Sequence, residues 1–142
     1  MKTILSMTSL FVMRDMFRYM PVWVRIWLVV MMSALFVAPM FFLEHAAAQW
    51  MAGTFMLGGV IMGLMHMKMG ITKLMGLAHI PWLIPVFLIF RDLSLPVAGQ
   101  SYQVWLLVAA TLSVVCLLID VADVTQYLSG KNREQIAPPA PV

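Results

Sequence analysis

Several residues that can do chemistry sit inside otherwise apolar runs: His66, His79, Ser113, Cys116, Asp120 and Asp123. The last four fall at steps of three, four and three, with Gln126 and Tyr127 following. On an α-helix that spacing draws a stripe along one face. Val114, Val115, Leu117, Leu118 and Val121 occupy the opposite side. A carboxylate at the centre of a bilayer costs about 2.5–3.5 kcal/mol on insertion scales. The stripe must therefore face protein or water. Histidine beside carboxylates in such a setting points to a proton or cation pathway. The competing structural reading is an ion pair of Arg25 with Asp120 or Asp123 that fixes helix order.

Imidazole also suits iron, copper and zinc. A haem held between helices needs two histidines at matching depth. His66 and His79 differ by roughly 6–8 Å along the membrane normal on helical rise, which argues against a shared haem. Met62, Met65, His66, Met67 and Met69 invite a copper reading, because thioethers favour Cu(I). Yet methionine accounts for 15 of the 142 residues, and Met31, Met32 and Met40 have no ligand partners nearby. The expectation is no cofactor and no metal site, with haem or copper as the lesser alternative. His45 beside Glu44 reads as a solvated helix end. Gly58-Gly59 is not a phosphate loop, since neither GxxxxGK[ST] nor GxGxxG is present. No hydrolase or kinase signature is found, so the reading is non-enzymatic.

The elements that must position these residues follow from composition. Hydrophobic residues make up 63% of the chain and charged residues 11%, with a mean hydropathy of +0.94. Soluble domains carry about 25% charge, so this chain cannot cover a water-facing surface. Its apolar runs are continuous rather than alternating, which selects helices over a barrel. The reading is an all-α integral membrane protein, an up-down bundle of four transmembrane helices. The spans are expected at about 22–43, 47–67, 73–91 and 102–126 within a membrane domain of 22–128. Each holds enough residues for a bilayer core of ~30 Å. Residues 1–21 precede the first span. Apolar Leu10, Phe11, Met13 and Phe17 alternate there with Arg14, Asp15 and Arg18, as in a short amphipathic interfacial helix. Residues 129–142 end in a proline-rich run and are expected to be a disordered tail.

Topology follows from the basic residues. Lys2, Arg14, Arg18, Arg25, Lys68, Lys73, Lys131 and Arg133 fall on one side of a four-span chain, and Arg91 alone on the other. That bias places both termini in the cytoplasm, in the inner (plasma) membrane of a bacterial-type cell. The net charge of +3 is thus a topology signal rather than a nucleic-acid footprint.

Two features concern packing. Gly59 and Gly63 form a GxxxG spacing that lets helices approach closely. Pro81 cannot donate to the carbonyl of Leu77, nor Pro85 to that of Pro81 in an α-helix, so span three should break just beyond His79. Pro39 should kink or loosen the end of span one. His66, His79, Ser113, Asp120 and Asp123 are the pathway candidates, in the cytoplasmic half. The expected function is a channel or transport component, with an accessory or assembly subunit as the alternative. Four helices enclose little space, so a homo-oligomer or docking onto a larger membrane complex is expected beside the lipid bilayer itself.

Overall fold

The computed structural model describes residues 2–96 and 99–139, with side chains from Leu10 onward. Helix α1 covers Lys2–Tyr19, and Pro21 marks the entry to span one. That span joins α2 (Val22–Met32), a π-helical stretch (Ser33–Val37) and a 3-10 turn (Ala38–Phe41). Span two is α3 (Ala46–Met69). Span three joins a 3-10 stretch (Lys73–Trp82) to α4 (Leu83–Leu93), and span four is α5 (Gln100–Leu128). All four spans are long and apolar enough to cross a membrane. Their outward positions are apolar too: Trp23, Phe87, Leu118 and Val121 are each about two-thirds exposed. That is the composition lipid requires and water penalises.

Span one adapts to Pro39 by changing pitch. A proline cannot donate, and its ring crowds the carbonyl four residues earlier. The π stretch widens the helix before it, and pairing there runs from residue i to i−5. On that count the carbonyl Pro39 fails to serve is that of Ala34. Trp105 of span four donates its indole Nε1–H to this oxygen at 2.9 Å. The expected break at Pro39 is therefore spread over nine residues and repaired from a neighbouring span.

Span three departs further from the α geometry. Ten residues, Lys73–Trp82, run as 3-10 helix, where stretches beyond three or four residues are uncommon. With three residues per turn, positions 73, 76, 79 and 82 line up in one straight row. At about 3.6 residues per turn Lys73 and Trp82 would lie on opposite sides of the helix. The rise of about 2.0 Å per residue also puts His79 ~12 Å beyond Lys73, deeper than the ~9 Å of an α-helix. The proline-freed carbonyl shifts accordingly. Under i→i−3 pairing Pro81 leaves Ala78 O without a donor, not Leu77 O. Pro85, three residues into α4, likewise offers no N–H to the helix that continues from the 3-10 stretch.

Glycines decide how near the spans come. A Cβ at Gly58 would lie 3.1 Å from Ala78 O, so span two packs its backbone against the freed carbonyl of span three. A Cβ at Gly76 would lie 2.9 Å from Asp120 Cβ, so span three meets span four there. Gly63 is buried as the GxxxG reading requires, but a Cβ at Gly59 would meet nothing within 4 Å. The close approach on span two belongs to Gly58 instead, one position earlier. Elsewhere the core is aromatic and aliphatic, with Leu35, Met51, Trp82, Ile89, Trp105 and Leu106 at its centre.

Two terminal segments pack onto one end of the spans. Helix α1 lies against α3 and buries Val12 beside Ile71 and Met75. The tail, expected to be disordered, is laid across the turn after α3 as far as residue 139. Ile71 N–H donates to Ala137 O at 3.0 Å, and Ile136 N–H donates to Ile71 O at 2.8 Å. Gln135 Nε2 donates to Met69 O at 2.7 Å. The reason is local: Gly70 ends α3 with φ of 72°, and the extended turn that follows offers an open backbone edge. Residues 140–142 lie outside the described residues.

Candidate functional site

The 3-10 row of span three faces the polar stripe of span four. At its first step Lys73 Nζ meets Asp123 Oδ1 at 3.0 Å and donates to Gln126 Oε1 at 2.8 Å. One step deeper Gly76 leaves room for the Asp120 side chain. One step deeper again His79 Nδ1 donates to Asp120 Oδ2 at 2.8 Å. The carboxylate accepts only, so the hydrogen belongs to the imidazole nitrogen. Cys116 completes the group. Its Sγ is 3.7 Å from Asp120 Oδ2 and 3.9 Å from His79 Nδ1. Both partners on span four come from one face, because Cys116 and Asp120 are four residues apart.

The site is shielded but not sealed. Cys116 is buried, while the His79 and Asp120 side chains keep 15% and 18% of their exposure. Asp120 also lines a groove between spans three and four, walled by Leu77, Ile80, Leu117 and Val121. Trp82 packs its ring on His79, with centroids 4.4 Å apart. Trp82 Nε1 and Ser113 Oγ are buried with no hydrogen-bond partner among the described residues. Each extends its row by one turn beyond the His79–Cys116 level. The arrangement can hold a proton between imidazole and carboxylate. It can also present one nitrogen, one sulfur and one oxygen to a cation.

The sequence candidates separate into two places. His79, Asp120, Asp123 and Ser113 share the span three–span four seam. His66 does not join them. It is fully buried, and its Nε2 lies 3.0 Å from Asp15 Oδ2 of α1. Arg14 Nε holds the other oxygen of Asp15 at 2.9 Å. Burial pushes the Asp15 carboxyl up, but the hydrogen bonds from Arg14 and His66 outweigh it and hold it below the usual carboxylate range. Asp15 was legible only as part of an amphipathic segment, since its partner lies 51 residues away. His66 and His79 thus engage different elements, Asp15 of α1 and Asp120 of span four.

Arg25 is corrected as well. It pairs with neither aspartate; its Nε donates to Met20 O at 2.8 Å, tying α1 to the start of span one. Asp120 and Asp123 are already taken by His79 and Lys73 of the adjacent span. A second polar cluster, which the sequence reading passed over, lies at the opposite ends of the spans. Asp92 accepts from Arg91 at 2.7 Å and from Tyr102 Oη at 2.8 Å, and the Tyr102 ring stacks on His45 at 3.7 Å. Tyr102 begins span four two residues after Gln100, where an interfacial aromatic is common enough to carry no signal.

No protein-family model, curated protein or solved structure matches this chain.

Proposed function

We propose that the chain is a non-enzymatic transport component of the inner (plasma) membrane. In this reading it is an up-down four-helix bundle with both termini in the cytoplasm, and a cation enters at His79 and Asp120. The carrying observation is the 2.8 Å imidazole–carboxylate pair between two spans, incompletely buried beside a groove. Intramembrane ionisable groups of this kind are costly and commonly mark ion routes. Eight of nine basic residues at one end support the orientation, which makes the site cytoplasm-facing. One chain encloses little volume, which favours a homo-oligomer or docking onto a larger complex.

The test is cation flux into liposomes that hold the purified protein. Wild type should exceed protein-free liposomes, and Asp120→Asn and His79→Ala should fall toward background while remaining folded. Wild-type flux at background, or unchanged flux in both variants, would overturn the reading. A second reading, an accessory or assembly subunit, is favoured by the pairing of Lys73 with Asp123 and of His79 with Asp120. There the polar groups only knit two spans together. Flux at background together with co-purification of a stable larger complex is its signature.

A further inference from the structure

We infer that His79, Cys116 and Asp120 form a three-ligand site for a borderline-soft divalent metal ion of the zinc class. This rests on the cation-site reading above and names the cation. Nδ1, Sγ and Oδ2 all lie within 4.8 Å of one another, and no other group of three His, Cys, Asp or Glu side chains does so among the described residues. Zinc binds Cys sulfur at about 2.3 Å, His nitrogen at about 2.0–2.1 Å and carboxylate oxygen at about 2.0–2.2 Å. Tetrahedral angles with those lengths set the ligand atoms roughly 3.3–3.6 Å apart. The observed separations are 2.8, 3.7 and 3.9 Å. The nitrogen–oxygen pair must open by roughly 0.5 Å and the two sulfur contacts close by roughly 0.1–0.3 Å to reach that range, within the reach of side-chain rotation.

The chemistry of the set selects the ion. A dication at membrane depth needs two anions close by. Asp120 supplies one. Cys116 supplies the second, its S–H proton leaving to bulk water as the ion binds, while the imidazole hydrogen moves from Nδ1 to Nε2 so that Nδ1 can ligate. Calcium and magnesium take all-oxygen shells of six or more ligands, so a sulfur and an imidazole speak against them. Cu(I) prefers soft ligands and gains little from a carboxylate. Three protein ligands leave a fourth position, as exchangeable zinc sites do, whereas structural zinc sites close all four with protein. Of the three ligands Asp120 also lines a groove of about 260 Å3 between spans three and four.

The experiment is titration of the purified full-length protein in detergent with Co2+ and with Zn2+. One equivalent of Co2+ per chain should give a thiolate-to-cobalt charge-transfer band, which Zn2+ abolishes by displacement. Cys116→Ser should remove the band, and His79→Ala should weaken Co2+ binding at least tenfold. A second measurement needs no variant. Cys116 is the one cysteine in the chain, so Zn2+ should slow its alkylation in wild type at least tenfold. No band and no protection, a band that survives Cys116→Ser, or uptake of Cu(I) alone would overturn the assignment. The outcomes separate the two claims. Metal binding without flux leaves the site standing and removes the transport reading; flux of another cation without metal binding does the reverse.

Discussion

Gly76→Ala is the sharpest probe of how packing and chemistry are joined in this fold. The new methyl would lie 2.9 Å from Asp120 Cβ and Oδ1 and 3.1 Å from Asp120 Cα. Carbon atoms pack best at about 3.5–4.0 Å, so the two spans must part locally by roughly 0.6–1 Å. No rotamer of Asp120 avoids this, because Cα and Cβ move only with the backbone. Overpacking of this kind costs typically ~1–3 kcal/mol. Alanine gains about 1 kcal/mol over glycine in helix preference. The expected net loss is up to about 2 kcal/mol. The site suffers as well. The His79–Asp120 contact, now 2.8 Å, would stretch to about 3.5 Å, outside hydrogen-bonding range.

Two readouts test this together, thermal unfolding in detergent and the alkylation rate of Cys116. Gly76→Ala should lower the midpoint and speed the alkylation. Gly53→Ala is the control, since a Cβ there meets nothing within 4 Å; it should leave the thiol rate unchanged and hold or raise the midpoint. If Gly76→Ala is as stable as Gly53→Ala and its thiol no more accessible, spans three and four do not meet at Gly76, and the 3-10 row is wrong.

Two further perturbations address other joints of the structure. Trp105→Phe removes the donor to Ala34 O and should cost about 1–3 kcal/mol, the penalty for a buried group left unsatisfied. Adding Pro39→Ala restores a backbone donor, so the double variant should lose less than the sum of the singles by unfolding in detergent; strict additivity would refute the repair. The docking of α1 should depend on pH through Asp15, faced by Arg14 and His66. Its folded carboxyl titrates below the unfolded one, so its contribution is complete above roughly pH 4–5 and fades as pH falls through the folded value. Limited proteolysis of α1 should be flat from neutrality to about pH 5 and rise below pH 4, and Asp15→Asn should flatten that rise. Loosening already near pH 6 would assign the dependence to another group.

What was legible in the sequence follows from which forces are local. The span boundaries differ from the structure by about two residues, because continuous apolar runs bounded by charge depend on no partner. The stripe Ser113, Cys116, Asp120 and Asp123 was legible for the same reason, as a property of one helix. Depth was nearly legible too. Counting residues from the charged ends places His79 and Asp120 at similar levels, and they do meet. Partner choice was not. Arg25 looked like the natural counter-charge for an aspartate, yet its guanidinium is spent on Met20 O beside it, while Lys73 and His79 reach the carboxylates first. His66 was grouped with the pathway residues because the Asp15 carboxylate it meets comes from α1, 51 residues away.

The decisive illegible feature is the pitch of span three. Nothing in the string of residues from Lys73 to Trp82 announces ten residues of 3-10 helix, and Pro81 alone predicts only a break. The geometry wins through tertiary contacts that the α form would forfeit. With about 3.6 residues per turn, Lys73, Gly76, His79 and Trp82 would spiral away from span four, leaving Asp120 and Asp123 toward lipid without partners, at a cost that approaches about 2.5–3.5 kcal/mol only at the bilayer centre. In the tighter helix the four positions form one row, and every carboxylate on span four finds a partner. The poorer hydrogen-bond geometry of the 3-10 form is thereby offset by two interhelical pairs and by the close contact at Gly76. The same row is what brings an imidazole, a thiol and a carboxylate to one point. The proposed metal site is therefore a consequence of helix pitch rather than of any motif, which is why no spacing in the sequence disclosed it.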